Sequence, residues 1–423
     1  MRKKIDVQDL RWGMYVSQLD RPWLETPFLF QGFELRAPQE MDLLKKHCKY
    51  VYIDIEKGLD ALPQRGHSGF EARMHAIQAE EEQIHHRVRQ IAESPVTPHE
   101  RPAYIDQAPL EKELVRAREI EADARETMKE VIDHVEKGKD FNIALATKVV
   151  TNMVESIIRN PDALVCLTYL RNINEYTALH SIRSCILGIA FGRHLVFSKD
   201  ELIALGLGLL LHDVGMVKIP REILGKPAGL TPQEFETMTR HVGWAVAILK
   251  KSGGIPKLAM QVVQQHHERR DGAGYPVGLK GDMISQAGLI GSIVDVYDAV
   301  TSDRTYSGGL SAEDALKRMY EWREKDFHPQ LVEDFIRCMG IFPIGSLVEL
   351  STGSIGVVIT INRARRLKPK VALVLTASKT PYSRKVVTDL MEHRDGQGQE
   401  IKITRVLPVG TYGIHPMDHI IQL

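Results

Sequence analysis

The sequence predicts a mainly α protein, with an all-helical central domain between a small β-containing N-terminal domain and a small β-rich C-terminal module. Three observations predict it. Apolar residues recur at helical spacing almost without interruption from about 141 to 340. The first sixty or so residues and the last eighty instead carry short apolar or β-branched runs punctuated by Gly and Pro, the texture of strands. A chain of 423 residues also exceeds what one compact domain usually needs, so two or three structural units are expected.

The elements follow in order. In 1–62 the runs Lys4–Val7, Met14–Gln18, Phe28–Phe30 and Tyr50–Ile55 are separated by turn residues that include Gly13, Pro22 and Gly32. The composition turns polar near Pro63–Gly69 and opens a linker over 63–140. It contains two helical stretches, roughly 70–93 and 108–137, divided by Pro95, Pro98, Pro102 and Pro109. Both stretches are rich in Glu, Arg and Ala. They read either as solvated or coiled linker helices that transmit a signal or pair two protomers, or as helices packed on the next domain. In 141–340 the periodic segments are Ile143–Ile158, His180–Leu195, Glu201–Leu211, Pro232–Lys251, Ile284–Thr301 and Ala312–Trp322. Thr231 before Pro232, and Ser311, are candidate N-caps. In 341–423, Leu347–Leu350, Gly356–Ile361 and Val371–Leu375 are the strand candidates.

Composition narrows the function. Hydrophobic residues make up 43% and charged residues 26%, with zero formal net charge. That is ordinary for a globular protein and offers no general attraction to DNA or to an anionic membrane. An anionic ligand would need a local positive site such as a metal cluster. The four cysteines are far apart and form no CxxC pair, which suits a reducing cytoplasm. No apolar signal region follows the charged N-terminus, and the most apolar stretch, Leu202–Leu211, is half a bilayer crossing in length. A cytoplasmic protein with no membrane span is expected. His85-His86 read as solvated, Trp244 and Tyr297 as core, and the basic run Arg363, Arg365, Arg366, Lys368, Lys370 as a charged turn.

The chemistry concentrates in the helical domain. His212-Asp213 ends the apolar run GLGLLLHD, placing an imidazole and a carboxylate at the mouth of a core. One such pair is weak evidence. Its company is stronger: His180, His241 and Asp295 lie on other periodic segments, and the consecutive His266-His267 lead into ERRDGAGYP. Left unpaired in an apolar interior, such groups would be costly. Imidazole and carboxylate without thiolate suit iron, manganese or zinc. DGAGYP, taken alone, reads as a turn in which Gly272 and Gly274 permit close approach.

HDVGMVKIP, followed by HHERRDGAGYP about fifty residues later, resembles the paired signature of the HD-GYP family, a branch of the HD metal-dependent phosphohydrolases. The resemblance covers about 145–340. The first sixty residues are similar to a small domain of unassigned function often found ahead of it. The resemblance implies an all-helical HD-type phosphohydrolase domain that hydrolyses cyclic di-GMP to pGpG and on to GMP, within a bacterial signalling system. It implies that His180, His212, Asp213, His241, His266, His267 and Asp295 are metal ligands. Asp213 would be the bridging carboxylate of a two-metal hydrolysis. It further implies that Arg304 contacts the ligand's phosphate, the alternative being a surface arginine at a helix end. In the loop itself Gly274 permits close approach and Tyr275 offers a ring for a base or a hydroxyl for a phosphate. Glu268 and Asp271 are candidate partners for the histidine N–H groups or the loop backbone.

The chain departs from the family pattern in three places. Met216 stands where lysine is common, which leaves Lys218 as the nearest candidate for catalysis and phosphate binding, or as a helix-end cation. Tyr176 replaces a carboxylate one turn before the first histidine, and Glu175 lies about 100° away round the helix. Ser307 replaces a second basic residue after Arg304. The Tyr176 departure favours two divalent ions, iron or manganese, over three. Two other readings stay open. One is a catalytically weak module that senses cyclic di-GMP or docks a diguanylate cyclase (GGDEF) domain, which the intact ligand set argues against. The other is an HD enzyme for another nucleotide, which the full GYP element disfavours. A homodimer through the linker helices is a further expectation.

Overall fold

The computed structural model describes residues 2–20, 33–35, 38–56, 79, 82–94, 104–168, 176–224, 226, 230–302, 310–362, 365–408 and 410–420. The chain divides into two compact units. One gathers Met1–Arg87, Ile219–Met238 and Ser302–Leu310; the other holds Val88–Lys218, Thr239–Thr301 and Ser311–Leu423.

In the first unit β1 (Arg2–Asp6), β2 (Tyr15–Leu19), β3 (Phe33–Glu34) and β4 (Tyr50–Asp54) form an antiparallel sheet in the order β1-β4-β2-β3. Alternation sends Ile5, Val16, Val51 and Ile53 into the core. The helix α1 (Pro38–His47) adds Met41 and Leu44, three residues apart on one face. The sequence reading missed α1, because those few apolar residues are embedded in charge. The predicted run Phe28–Phe30 lies outside the described residues.

Residues 82–93 form a helix, α2. The next, α3 (Leu110–Glu136), buries Leu114, Ala117, Ala124, Met128, Val131 and Val135. It packs on α4 (Ile143–Arg159) and α5 (Pro161–Leu167). Glu113 locks the contact with a two-point ion pair to Arg159, at 2.8 and 2.9 Å. Of the two readings of this stretch, α3 follows packing on the next domain: the face a coiled seam would use is spent inside the chain.

The chain then runs through α6 (Tyr176–His194), α7 (Lys199–Leu211), α8 (Arg221–Leu224), α9 (Pro232–Thr239), α10 (His241–Ser252), α11 (Lys257–Gln265), α12 (Gln286–Thr301), α13 (Ala312–Trp322) and α14 (Pro329–Met339). Of these, α8 and all but the last residue of α9 belong to the first unit and bury no residue; the others build the helical core of the second. Among these α7 is apolar on every side and lies between α4, α6 and α11. Ser198 and Glu201 cap it reciprocally. Gly208 lets α11 approach: a Cβ there would stand 2.7 Å from the Ala259 carbonyl oxygen. Thr231 and Ser311 accept the backbone N–H of Glu234 and Asp314, as N-caps do.

The single helix expected over Pro232–Lys251 is two helices. The first, α9, stops at Thr239 and α10 starts at His241, with Arg240 in a turn between them. Near the break the Thr237 hydroxyl donates back to the Gln233 carbonyl, a bond that bends helices, and Thr239 adds a second β-branched residue. His241 therefore opens a helix instead of sitting mid-helix. Tyr297 is core as expected, whereas Trp244 is only half-buried.

At the C-terminal end β5 (Leu347–Leu350), β6 (Ile355–Thr360), β7 (Lys370–Leu375), β8 (Pro381–Asp389) and β9 (Ile403–Leu407) form an antiparallel sheet in the order β8-β7-β6-β5-β9. Two of these strands, β8 and β9, were not anticipated. Residues 365–368 of the basic run make the expected turn. Lys368 pairs with Glu400 and Lys370 with Asp389, while Arg363 lies outside the described residues. Among the described residues no helix is long and apolar enough to cross a membrane.

Candidate metal centre

Five elements aim side chains at one point. At the end of α7 the chain turns through His212 and Asp213 into a short 3-10 helix, Val214–Lys218. Gly215 lets the start of α10 pack directly on this turn, because a Cβ there would lie 2.0 Å from the His241 carbonyl oxygen and 2.6 Å from the Ala245 nitrogen. Facing it are His180 from α6, His241 at the start of α10, and Asp295 from α12. His266 caps α11 and His267 follows it.

The seven residues named as ligands come together in two adjoining groups. His180, His212 and Asp295 form one; Asp213, His241, His266 and His267 form the other, with one ligand atom per residue within 4.8 Å of the rest of its group. Asp213 faces both. Its Oδ2 lies 3.5 Å from His212 Nε2 and 3.9 Å from His180 Nε2, and its Oδ1 lies 3.4 Å from His241 Nε2 and 3.7 Å from His266 Nε2. Asp295 Oδ1 lies 3.0 Å from His180 Nε2, and its Oδ2 is 3.7 Å from His267 Nδ1.

The donor set fits cations. His212 Nδ1 is 2.6 Å from the Leu209 carbonyl and His266 Nδ1 is 3.0 Å from that of Val263. A carbonyl only accepts, so Nδ1 carries the proton and Nε2 presents its lone pair to the cluster. His212 Nε2 is buried with no hydrogen-bond partner among the described residues, a cost that a bound cation removes. Burial, reinforced by neighbouring His212, pushes His266 down to about 3. Burial and His266 likewise hold His267 well below the usual histidine range. Burial alone would raise Asp213 and Asp295, but the surrounding imidazoles override it and hold both below the usual carboxylate range. His266 and His267 are thus neutral beside ionised carboxylates, as metal ligation requires. At His180, by contrast, burial is overridden by Asp295 and Asp298, one on each ring nitrogen, which hold it well above the usual histidine range, so ligation there releases a proton.

The remaining predicted residues surround this centre. Glu268 is buried, and its two oxygens accept the backbone N–H groups of Val277 and Leu279 at 2.9 and 2.8 Å. Asp271 accepts the Ala273 N–H and so builds the turn. Gly274 lies flat on the preceding backbone; a Cβ would be 2.5 Å from the His267 carbonyl oxygen. Tyr275 then donates its N–H to that carbonyl and stacks its ring on His267, with centroids 4.6 Å apart. Burial pushes the Tyr275 phenol upward, so it stays neutral. Lys218 is exposed at the end of its 3-10 helix and makes no hydrogen bond or ion pair to the described residues. Arg304, Ser307 and Glu175 lie outside the described residues; Tyr176 is the first residue of α6. Sequence reasoning missed Asp298 and Arg183, which hold His180 from behind. The available signal was spacing: each stands one helical turn beyond a ligand, Asp295 or His180.

A helical bundle that holds two histidine–carboxylate groups about a shared aspartate defines an HD-class metal-dependent phosphohydrolase. Residues 174–331 match the family described as HD domain, residues 2–146 a domain of unknown function (DUF3391), and residues 347–396 a KOW domain associated with HD domain. The cyclic di-GMP phosphodiesterase PA4108 of Pseudomonas aeruginosa is 36% identical over 92% of this chain and 89% of its own. A cyclic di-GMP phosphodiesterase of Thermotoga maritima is 41% identical over 40% of this chain and 48% of its own. The 3'3'-cGAMP-specific phosphodiesterase 2 of Vibrio cholerae is 40% identical over 29% of this chain and 24% of its own. The chain belongs to the HD-GYP-type cyclic di-GMP phosphodiesterases.

Proposed function

We propose that this chain hydrolyses cyclic di-GMP to pGpG and on to GMP, using two divalent ions, iron or manganese. The observation that carries the proposal is the disposition of Asp213, one oxygen toward each ligand group. His180, His212 and Asp295 would hold one ion, and His241, His266 and His267 the other, with Asp213 shared. When bound, such ions supply Lewis-acid charge at a phosphate and lower the pKa of water enough for attack near neutral pH. The protein's own part is to orient the imidazoles and to hold His266 and His267 neutral by burial. The Tyr275 ring, stacked on His267, is placed to flank a bound base. Arg304 and Lys218 are the cations we assign to the phosphates. Neither α7 nor α11 has lost a ligand, which favours turnover over a purely sensory or docking role.

His212→Ala and Asp213→Ala test the assignment. Each should lose bound metal and phosphodiesterase activity while keeping its helical circular dichroism. Wild-type turnover in a variant without bound metal would refute it. Assaying 3'3'-cGAMP alongside cyclic di-GMP decides between the two substrates that the relatives' names offer.

A further inference from the structure

Two helices present matched pairs of residues one turn apart: His180 and Arg183 on α6, Asp295 and Asp298 on α12. Behind the ligand atom of His180, its Nδ1 lies 2.7 Å from Asp298 Oδ2. Arg183 grips the same carboxylate, Nε to Oδ1 at 2.7 Å and Nη2 to Oδ2 at 3.2 Å. Asp298 is 2% exposed. We infer that Asp298 and Arg183 are positioning residues that fix His180 as a metal ligand, and that they govern one of the two ion positions selectively. The inference rests on the two-ion reading above.

A carboxylate held by a guanidinium fork is an acceptor with a fixed orientation. It keeps the proton of His180 on Nδ1 and turns Nε2 toward Asp295 and Asp213. Arg183 occupies the lone pairs of Asp298 that would otherwise be unsatisfied, and so prevents the carboxylate from swinging round to compete for an ion. His212 and His266 obtain the same orientation from backbone carbonyls, those of Leu209 and Val263, which no side-chain substitution removes. Of these three histidines, His180 is the one oriented by a side chain. Removing that side chain therefore loosens the group of His180, His212 and Asp295 and leaves the group of His241, His266 and His267 intact. Loss of such an outer partner typically costs about 10-fold to 100-fold in metal affinity.

The experiment is an anaerobic titration of metal-free full-length protein with Mn2+, and with Co2+ to read the ligand field. Wild type is compared with Asp298→Ala, Asp298→Asn and Arg183→Gln. Wild type should bind two equivalents. Asp298→Ala should bind one equivalent at wild-type affinity and the other about 10-fold to 100-fold more weakly. Asp298→Asn, which keeps an acceptor oxygen, should recover part of the loss, and Arg183→Gln should weaken the same equivalent by less. Two equivalents at wild-type affinity in an Asp298→Ala protein would overturn the pairing alone. Equal weakening of both equivalents in Asp298→Asn and Arg183→Gln would overturn its selectivity, and these two variants decide the matter if Asp298→Ala does not fold. Wild-type protein that takes up no ion would overturn both the pairing and the two-ion reading beneath it.

Discussion

Removing the Glu268 carboxylate should free the loop that carries Gly274 and Tyr275. The buried carboxylate accepts two backbone N–H groups, of Val277 and Leu279. The Tyr275 ring stacked on His267 is the contact this latch holds in place. Hydrogen bonds to a charged acceptor contribute about 1.5–3 kcal/mol each, which sets an upper range of about 3–6 kcal/mol for the pair. Val277 is 74% exposed, so water can replace part of this, and about 2–4 kcal/mol is expected for Glu268→Ala. Glu268→Gln keeps one accepting oxygen but turns an NH2 group toward the other N–H, and should cost about 1–2 kcal/mol. Urea unfolding of the metal-free proteins measures the stability change, and kcat/KM of the metal-loaded proteins measures displacement of the Tyr275 ring. A fall of about tenfold in kcat/KM is expected for Glu268→Ala, equivalent to about 1.4 kcal/mol. Both variants staying within about 0.5 kcal/mol of wild type, the range of ordinary surface changes, with unchanged kinetics, would refute the latch.

Three further outcomes follow from the structure. Gly215→Ala should cost at least about 2–3 kcal/mol and weaken metal binding, because its Cβ meets the His241 carbonyl at 2.0 Å; thermal unfolding and metal content check both. Glu113→Gln should destabilise the α3–α4 contact by about 1–3 kcal/mol at pH 7. Burial would raise the Glu113 carboxyl, but Arg159 overrides it and holds it below the usual range. Its stabilisation is therefore fully present above the unfolded value of about 4.3 and is lost as pH falls through the lower folded value. The stability gap between wild type and Glu113→Gln should hold constant from pH 7 to 5 and close below pH about 4; a gap that widens on acidification would contradict this. Lys218→Ala should lower turnover about tenfold to a hundredfold at equal metal loading. Unchanged steady-state kinetics would leave Lys218 an exposed helix-end residue with no part in catalysis.

The helical domain was legible because α4 and α13 repeat apolar residues strongly enough to reveal their period, and α7 is a nearly unbroken apolar run, rich in leucine and glycine, that needs none. The same held for the metal-ligand candidates, since buried histidines and aspartates on several helices have few ways to be satisfied other than with one another. What stayed hidden depends on context. The Arg240 break joins two segments that share one apolar period, so periodicity alone ran through it. In α1 too few apolar residues stand among the charges to show a helix. Most of β8, PYSRKVVTD, is polar or charged and has one exposed edge, so alternation could not mark it. Asp298 and Arg183 are ordinary helix residues by type; only the facing of α6 on α12 gives them a role. The burial of α3 is likewise a property of its partner helices, because its own composition fits a solvated helix equally well.

Anaerobically prepared, metal-loaded protein incubated with cyclic di-GMP, with separation of products and metal counting on the same sample, tests the central claim most directly. The account predicts about two ions per chain and appearance of pGpG followed by GMP, both abolished by chelation and restored by Fe2+ or Mn2+. Fully loaded protein that leaves cyclic di-GMP intact, or turnover that survives complete removal of metal, would contradict it.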